Sequence, residues 1–338
     1  MSIHGGIYEF TIGVSDFDPS ISFWESCGYH VGLKGELSSE HSKKLYDVDA
    51  NLESIRMNHQ NASAGLVRLM KWDKPLGEGL NMAPLRSFGN RWSVHKTDNI
   101  ANAYVHGEVL RQQGHPINLV GPHYNLNLDK KVSEKKPFKE TLAATGELLL
   151  FQPEAQLVIM SRMNFSIPKY GTINQKAPLR VSEGCHMAIV LKGNDKTIFD
   201  FYEDVIGLKR YRELNIEYQP GYMPSDMFNL KPGETLTELN FDDPKSGTEP
   251  EEHLPGRLRC FMVSTKNQLP DLRTKSTPGN KGYTFYTLRT SDIKNMFKRI
   301  ELSHATGQTD ICINEFGEDS FYFLSPDGFS WVMQAINE

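Results

Sequence analysis

The sequence has few cysteines, and their spacing excludes the common cysteine-based architectures. Its four cysteines, Cys27, Cys185, Cys260 and Cys312, are widely scattered, and no two of them stand in a CxxC arrangement. Zinc ribbons and disulfide frameworks need closely and regularly spaced cysteines. We therefore predict buried, reduced thiols and no cysteine-bound metal.

Long apolar runs and an excess of positive charge are also missing. No run approaches the roughly 18 apolar residues of a membrane-spanning helix, and the first residues lack the regions of a signal peptide. The formal net charge is −5, and no lysine and arginine cluster is interleaved with aromatic residues. We therefore expect a cytoplasmic protein with no membrane and no nucleic-acid partner.

The familiar catalytic motifs are absent as well. The sequence contains no GxSxG, no HExxH, no GxxxxGK[ST], and no GxGxxG after a strand. This excludes the usual signatures of serine hydrolases, zinc proteases, P-loop proteins and dinucleotide-binding enzymes. Function has to be sought in the internal organisation of the chain.

That organisation is a repeat. Residues 9–16 form an alternating apolar pattern typical of a strand and lead into a short helical pattern at 21–29 that ends in glycine. The same order returns at 186–191 and 197–208. Turn signals before a final apolar run also match, at 152–155 and 325–328. The two halves therefore repeat each other, and such internal repeats define structural units.

Each half contains two modules, so four modules are predicted, at 6–72, 88–162, 183–265 and 282–336. The polar segment 164–182 carries Pro168, Gly171 and Pro178, which is typical of a linker. We predict an N-terminal domain at 1–163 and a C-terminal domain at 183–338. Two polar stretches, 122–140 and 242–256, are interpreted as solvated loops, with a lid over a cavity as the functional alternative.

The strand, helix and Gly-Leu pattern of residues 186–208, together with Ser-Pro-Asp-Gly before Trp331, resembles the vicinal oxygen chelate superfamily of glyoxalases, bleomycin resistance proteins and dioxygenases. The resemblance implies an α+β fold. Four βαβββ modules would pair into two cupped, mixed β-sheets with the helices outside. In that superfamily a metal is held inside the cup by residues of the first and last strands of each module.

In module three the resemblance implies two metal positions. Met187, Ile189 and Leu191 form an apolar set, so the residues between them, beginning with His186, face the cup. Residues 235–241 are interpreted as the last strand, with Glu238 at the family's glutamate position. His186 and Glu238 are therefore candidate ligands of a divalent ion, with Fe, Mn, Ni, Zn and Co all open.

Module four lacks the matching ligands. Phe285 and Val332 occupy its first-strand and last-strand positions, so the facial triad of an Fe(II) dioxygenase is incomplete and that activity is disfavoured. The third ligand would be either Gln334, two residues after Val332, or His253. Without a metal, His186 and Glu238 would form a general acid/base pair.

The first half departs further from the pattern. Glu9 and Arg68 occupy the module-one positions, and Arg91 and Ile159 those of module two. Arginine has no lone pair for a metal. Either Glu9 pairs with Arg68 or Arg91 to leave a cationic pocket for a carboxylate, or these residues form a structural ion pair in a scaffolding domain.

The resemblance implies an enzyme of the lyase or isomerase type that acts on a small oxygenated metabolite in the C-terminal cup. His186 and Glu238 would be the central residues, and Arg289 the electrostatic partner of the substrate oxygen. The alternative is a metal-free protein that binds or sequesters a small molecule, as resistance proteins of the family do. A homodimer is compatible with the sequence.

Overall fold

The computed structural model describes residues 3–125, 135–193 and 195–336. The predicted loop 122–140 is thus only partly covered, and Lys130 and Lys131 lie outside the described residues. The strands are β1 Glu9–Gly13, β2 His30–Leu37, β3 Leu52–Asn58, β4 Leu66–Trp72, β5 Arg91–Thr97, β6 Asn118–Asn125, β7 Ala144–Phe151, β8 Gln156–Met163, β9 Val181–Leu191, β10 Lys209–Glu217, β11 Thr235–Asp242, β12 Arg257–Ser264, β13 Gly282–Thr290, β14 Cys312–Ile313, β15 Asp319–Leu324 and β16 Ser330–Ala335.

The helices are α1 Phe17–Ser26, α2 Ser39–Tyr46, α3 Ile100–Gln112, α4 with an α-helical turn Ile198–Asp200 and a π-helical segment Phe201–Ile206, α5 Met223–Met227 and α6 Ile293–Glu301. Short polar side chains accept a backbone N–H in the first turn of four of them and so begin the helix; these are Asp16, Ser38, Asn99 and Asp292. Gly207, at φ +94°, ends α4 in the left-handed conformation that glycine adopts without strain.

The predicted βαβββ order is present in all four modules. Strands β1–β4, β5–β8, β9–β12 and β13–β16 each follow the sequence strand, helix and three strands, with α2 inserted in module one and α5 in module three. The four-module α+β prediction is therefore confirmed.

The modules pair in a way that the halves of the sequence do not suggest. The first sheet has the order β14-β15-β16-β13-β1-β4-β3-β2, and the second has β10-β11-β12-β9-β5-β8-β7-β6. Module one therefore pairs with module four, and module two with module three. In both sheets the two first strands run antiparallel at the centre, with Glu9 opposite Thr287 and Trp92 opposite Ala188.

The main core lies between the two sheets and their helices. It takes apolar side chains from both sheets, including Phe10, Leu157, Met187 and Trp331. The Tyr286 hydroxyl ties the sheets together, because it donates from β13 to main-chain carbonyl oxygens of the second sheet, 2.8 Å from that of Ala188. Burial of this shared apolar surface stabilises the two sheets as one unit.

The opposite, concave face of each sheet is a cup. The first cup is the face of the first sheet that carries Glu9, Arg56, Arg68, Phe285 and Val332. The second cup is the face of the second sheet that carries Trp92, Glu147, His186, Glu238 and Arg259. As the alternation in β9 predicts, Met187 and Ile189 pack in the main core, while Ala188 packs in the second cup.

Candidate active site

Module three ends in a strand that the sequence analysis did not identify. The last strand is β12, Arg257–Ser264, and Glu238 lies one strand earlier in β11. The assignment of Glu238 to the last strand was wrong, because segment 242–256, interpreted as a loop after the module, connects β11 to β12. On β12 the register partner of His186 is Arg257, and the next residue on the same face is Arg259, which pairs with Ala188 on β9 and Asn240 on β11.

Arg259 lies between the two residues that were predicted to share a metal. Its Nη1 donates to His186 Nε2 at 3.1 Å, and its Nη2 lies 2.7 Å from Glu238 Oε2. Its Nε also donates to Glu238 Oε1 at 3.1 Å. The contact with Glu238 is a two-point, charge-assisted pair. The structure therefore joins His186 and Glu238 through a cation.

The hydrogen bonds of His186 fix its protonation. Arginine only donates, so Nε2 is the acceptor, and Nδ1 carries the proton that reaches the Tyr170 hydroxyl at 3.0 Å. Burial and then the charge of Arg259 hold the pKa of His186 well below its usual range. His186 is therefore a neutral imidazole whose free lone pair is already used. Tyr170 belongs to the predicted linker, which had suggested no such role.

Glu238 is held as a carboxylate. Burial alone would raise its pKa, but the charge and hydrogen bonds of Arg259 and the bond from Asn240 Nδ2, 2.8 Å, lower the pKa below the ordinary value. Its side chain is nearly fully buried. Glu238 does not hydrogen-bond His186 in the structure, so the predicted carboxylate–imidazole pair is replaced by two contacts to Arg259.

A second carboxyl group, Glu147, faces the same cup from β7. Its side chain is 8% exposed, and burial raises its pKa above the ordinary value. Within the described part of the chain, no hydrogen bond to its carboxyl group is found. Glu147 was not among the predicted site residues. Its only signal in the sequence is that it is an acid directly before the apolar run 148–151 of β7.

Glu147, Glu238 and Arg259 line a cavity of about 40 Å³ inside the second cup. That volume holds about three water molecules. Its remaining walls are apolar and come from the sheet and from the α5 segment, with Leu85, Trp92, Val94, Val158, Met223, Pro224, Met227, Phe228, Leu236 and Phe261. Helix α5 and Phe228 therefore cover the cup, the role that the sequence analysis considered for segment 242–256.

The first cup holds an ionic network. Glu9 forms ion pairs with Arg68 and, at 2.8 Å, with Arg56 of β3. The turn between β14 and β15 supplies two further carboxylates, with Glu318 2.8 Å from Arg56 and Glu315 3.3 Å from Arg68. The predicted pairing of Glu9 with Arg68 is present, and the space beside it is filled by the protein's own acidic turn.

An aromatic ring closes this network from outside. Phe316 lies 4.4 Å from the Arg56 guanidinium carbon and 5.1 Å from that of Arg68. Gln334 Oε1 accepts from Arg68 Nη2 at 3.1 Å. Gln334 was predicted as a third ligand beside His186, but because module four pairs with module one, it lies in the first cup.

Three other predicted residues also lie away from the His186 cluster. Arg289 is in the first sheet, where it donates to the Ser63 carbonyl oxygen and stacks on Tyr8. Arg91 faces the main core and donates to the carbonyl oxygen of Ser330, because the register is shifted by one residue and Trp92 faces the cup.

His253 is buried in the β11–β12 connection. Its Nδ1 lies 2.8 Å from Asp242 Oδ2, and its ring packs on Tyr211. The connection that carries it is folded against the end of the sheet and does not extend over the cavity. His253 does not contact His186, so it does not join the predicted ligand set.

The donor set of the second cup does not fit a divalent ion. His186 Nε2 and Glu238 Oε1 accept hydrogen bonds from a permanent cation, Arg259, whose Nη2 is also ion-paired with Glu238 Oε2, so that it occupies the space between the two residues. A metal at this point would have to displace that cation. Among the described residues, no group of three histidine, cysteine, aspartate or glutamate side chains converges as a metal site.

Comparison with solved structures supports the fold. Glyoxalase I from Zea mays matches with a TM-score of 0.54 and 13% identity, covering 98% of this chain and 92% of that one. This chain has the vicinal oxygen chelate fold. A putative dioxygenase from Bacillus subtilis also matches, with a TM-score of 0.54 and 10% identity over 99% of this chain and 86% of that one. At these identities the likeness concerns the fold alone.

No protein-family model matches the sequence, and no curated protein matches it. Among the described residues, none of the helices is both long enough and apolar enough to cross a membrane.

Proposed function

We propose that the second cup is the active site of a lyase or isomerase that acts on a small carbonyl-bearing metabolite without a resident divalent metal. One observation carries the proposal: the second cup encloses a cavity at which Arg259 stands where the fold would place a last-strand metal ligand. Arg259 takes the role that the sequence analysis gave to Arg289.

The chemistry follows from the position of Arg259. A guanidinium has five N–H donors, and two hydrogen bonds to Glu238 and His186 together with the ion-pair contact of Nη2 leave donors for a ligand oxygen. In a cavity with apolar walls, a positive group aimed at a carbonyl oxygen stabilises the negative charge that develops there when a neighbouring C–H bond is broken. His186 and Glu238 hold the guanidinium in place, so they act as positioning residues.

Proton exchange at carbon tests the proposal without knowledge of the natural substrate. The protein, treated with EDTA, is incubated in D2O with acetophenone, phenylacetone or hydroxyacetone, and loss of the signal of the protons beside the carbonyl is followed by proton NMR. We expect exchange above the buffer rate for at least one compound. Arg259→Met should lower the rate by about 100-fold or more.

Two controls make the result specific. Arg111→Met removes an exposed arginine of α3 and should leave the rate unchanged. Exchange that disappears with EDTA and returns with Mn, Fe, Ni, Zn or Co would overturn the metal-free proposal. The rival hypothesis is a binding or sequestering protein, and it would be favoured if the compounds bound tightly with no exchange at all.

A further inference from the structure

We propose that Glu147 is the catalytic residue that moves the proton in the second cup, and that the cup selects an uncharged carbonyl compound with an aromatic-sized apolar body. The inference rests on the proposed function and names its acid/base group and substrate class. It starts from a contrast between the two carboxyl groups that line one cavity.

Glu238 is bound by other side chains of the protein, whereas Glu147 is free to bind a ligand. Both oxygens of Glu238 are bound by Arg259, and Oε1 also accepts from Asn240. Glu147 is almost as deeply buried and lines the same cavity, yet no hydrogen bond to it is found in the described ranges. A carboxyl group that reaches a cavity and has no partner in the protein keeps its hydrogen-bonding capacity for a molecule in that cavity. Glu147 therefore faces the ligand, and Glu238 holds Arg259 in position.

The charge of the cavity selects the ligand. Among the described residues, its charged or titratable lining consists of Arg259, Glu238 and Glu147. The two-point pair with Glu238 already neutralises Arg259, so a carboxylate ligand would add a negative charge beside two carboxyl groups without a second cation in the described lining. Arg257 lies two residues before Arg259 on the same face of β12, and it is hydrogen-bonded to Asp242. An uncharged carbonyl oxygen can accept from Arg259 without that cost.

The apolar walls of the cavity indicate the size and polarity of the ligand's non-reacting part. Trp92 and Phe261 stack with ring centres 5.5 Å apart, and Phe228 packs on Phe261 at 4.9 Å. Met223 and Met227 of α5 complete this surface, and methionines adapt to ligands of different shape. Because the present cavity holds about three waters, a ring-sized ligand enters only when the α5 segment moves outward.

The step balances within the site. The Glu147 carboxylate takes a proton from the carbon next to the carbonyl group, so that a C–H bond breaks and an O–H bond forms on Glu147. The electron pair of the C–H bond forms a carbon–carbon double bond, and the carbonyl π pair moves to the oxygen beside Arg259. Glu147 then returns the proton to the original or an adjacent atom, which gives exchange or an isomer without any oxidant or reductant.

Binding and exchange are measured on the full chain with one matched pair of probes. Acetophenone and benzoate share a ring and differ in charge, and binding is followed by quenching of the fluorescence assigned to Trp92 through its loss in Trp92→Phe. We expect acetophenone to bind at least about tenfold more tightly than benzoate, which corresponds to about 1.4 kcal/mol. Benzoate binding as tight as acetophenone would overturn the substrate class.

The role of Glu147 is tested with Glu147→Gln, which keeps the shape and one acceptor oxygen but cannot take a proton. The variant should bind acetophenone within about twofold of the wild type and lose exchange at the carbon by about 100-fold or more. Glu53→Gln, an exposed strand glutamate, is the matched control and should leave both unchanged.

The two proposals fail in different ways. Exchange that persists in Glu147→Gln and disappears in Arg259→Met would overturn the role of Glu147 and leave the proposed function standing. No exchange with any probe would overturn the proposed function and, with it, the proton-moving role, while the preference for acetophenone over benzoate still decides the ligand class. Circular dichroism and thermal unfolding of each variant show whether it is folded.

Discussion

The two cups carry the same fold and the same substitution, an arginine in the last strand of one module, yet they use it differently. In the first cup Arg68 belongs to a network in which two arginines meet three carboxylates, and Phe316 covers them. In the second cup Arg259 meets one committed carboxylate, and the second, Glu147, is left facing a cavity. Buried charges are thus held in ion pairs with one another in the first cup, whereas in the second cup a carboxyl group that we propose to be reactive lines a cavity.

The largest effect should come from breaking the first network. Arg68→Met leaves Glu9 and Glu315 with fewer cationic partners in a fully buried place, and we expect a loss of about 3 to 5 kcal/mol in the free energy of unfolding. Urea unfolding followed by fluorescence measures it. A loss below about 1 kcal/mol would mean that the first cup is not a structural network.

Glu147 should make the second cup sensitive to pH. Its folded-state pKa lies above the ordinary value, so the folded protein keeps this proton after the unfolded chain has lost it. Wild-type stability relative to Glu147→Gln should then fall by about 1.4 kcal/mol per pH unit as pH rises from the unfolded pKa to the folded pKa, and stay level above it. The charged and titratable groups around Glu147 are Arg259, Glu238 and its cross-strand neighbour His123.

The measurement is chemical unfolding of both proteins across the acid and neutral range. A difference between them that does not change with pH would show that Glu147 ionises as it does in water.

Removing the cation from the second cup should turn it toward metal binding. In Arg259→Ala, His186 Nε2 and Glu238 lose their donor and face vacated space, with Glu147 nearby. Zinc at tenfold its dissociation constant should stabilise this variant by about 1.4 kcal/mol and leave the wild type unchanged. Thermal unfolding with and without zinc checks this, and adding His186→Asn should abolish the gain. Equal zinc stabilisation of the wild type would contradict the assignment of Arg259 as the blocking group.

Arg289→Met should have the smallest effect. The side chain is half-buried at the first sheet, stacked on Tyr8 and bonded to one carbonyl oxygen, so we expect a loss of at most about 1 kcal/mol. Proton exchange in the second cup should be unaffected. A large fall in exchange would mean that Arg289 reaches the second cup after all.

The sequence predicted the modules because strand alternation and the glycines after the first helices of modules one and three, Gly28 and Gly207, are local signals. It did not predict the pairing, since the first strands of all four modules have the same alternating pattern and the choice of partner depends on non-local packing. Arg289 and Gln334 were therefore expected in the wrong cup.

Only part of the site was predicted from the sequence. His186 could be assigned to the cup from the alternation of β9. The sequence of β12 alternates in the same way, with Arg257 and Arg259 on one face and Leu258 and Cys260 on the other. That signal was missed because 235–241 already satisfied the expected last strand. The sequence marks Glu147 only as an acid beside an apolar run, and its position at the cavity next to Arg259 depends on the non-local pairing of the strands.

The crossed pairing of the modules also bears on how the chain folds during synthesis. All strands of the second sheet lie between Arg91 and Ser264, so this sheet can be completed while later residues are still being made. Module one emerges first, but its central strand waits for β13, where Glu9 meets Thr287. We therefore expect the second sheet to form first and the first sheet to be completed against it, through the contact of two strands that are far apart in the sequence.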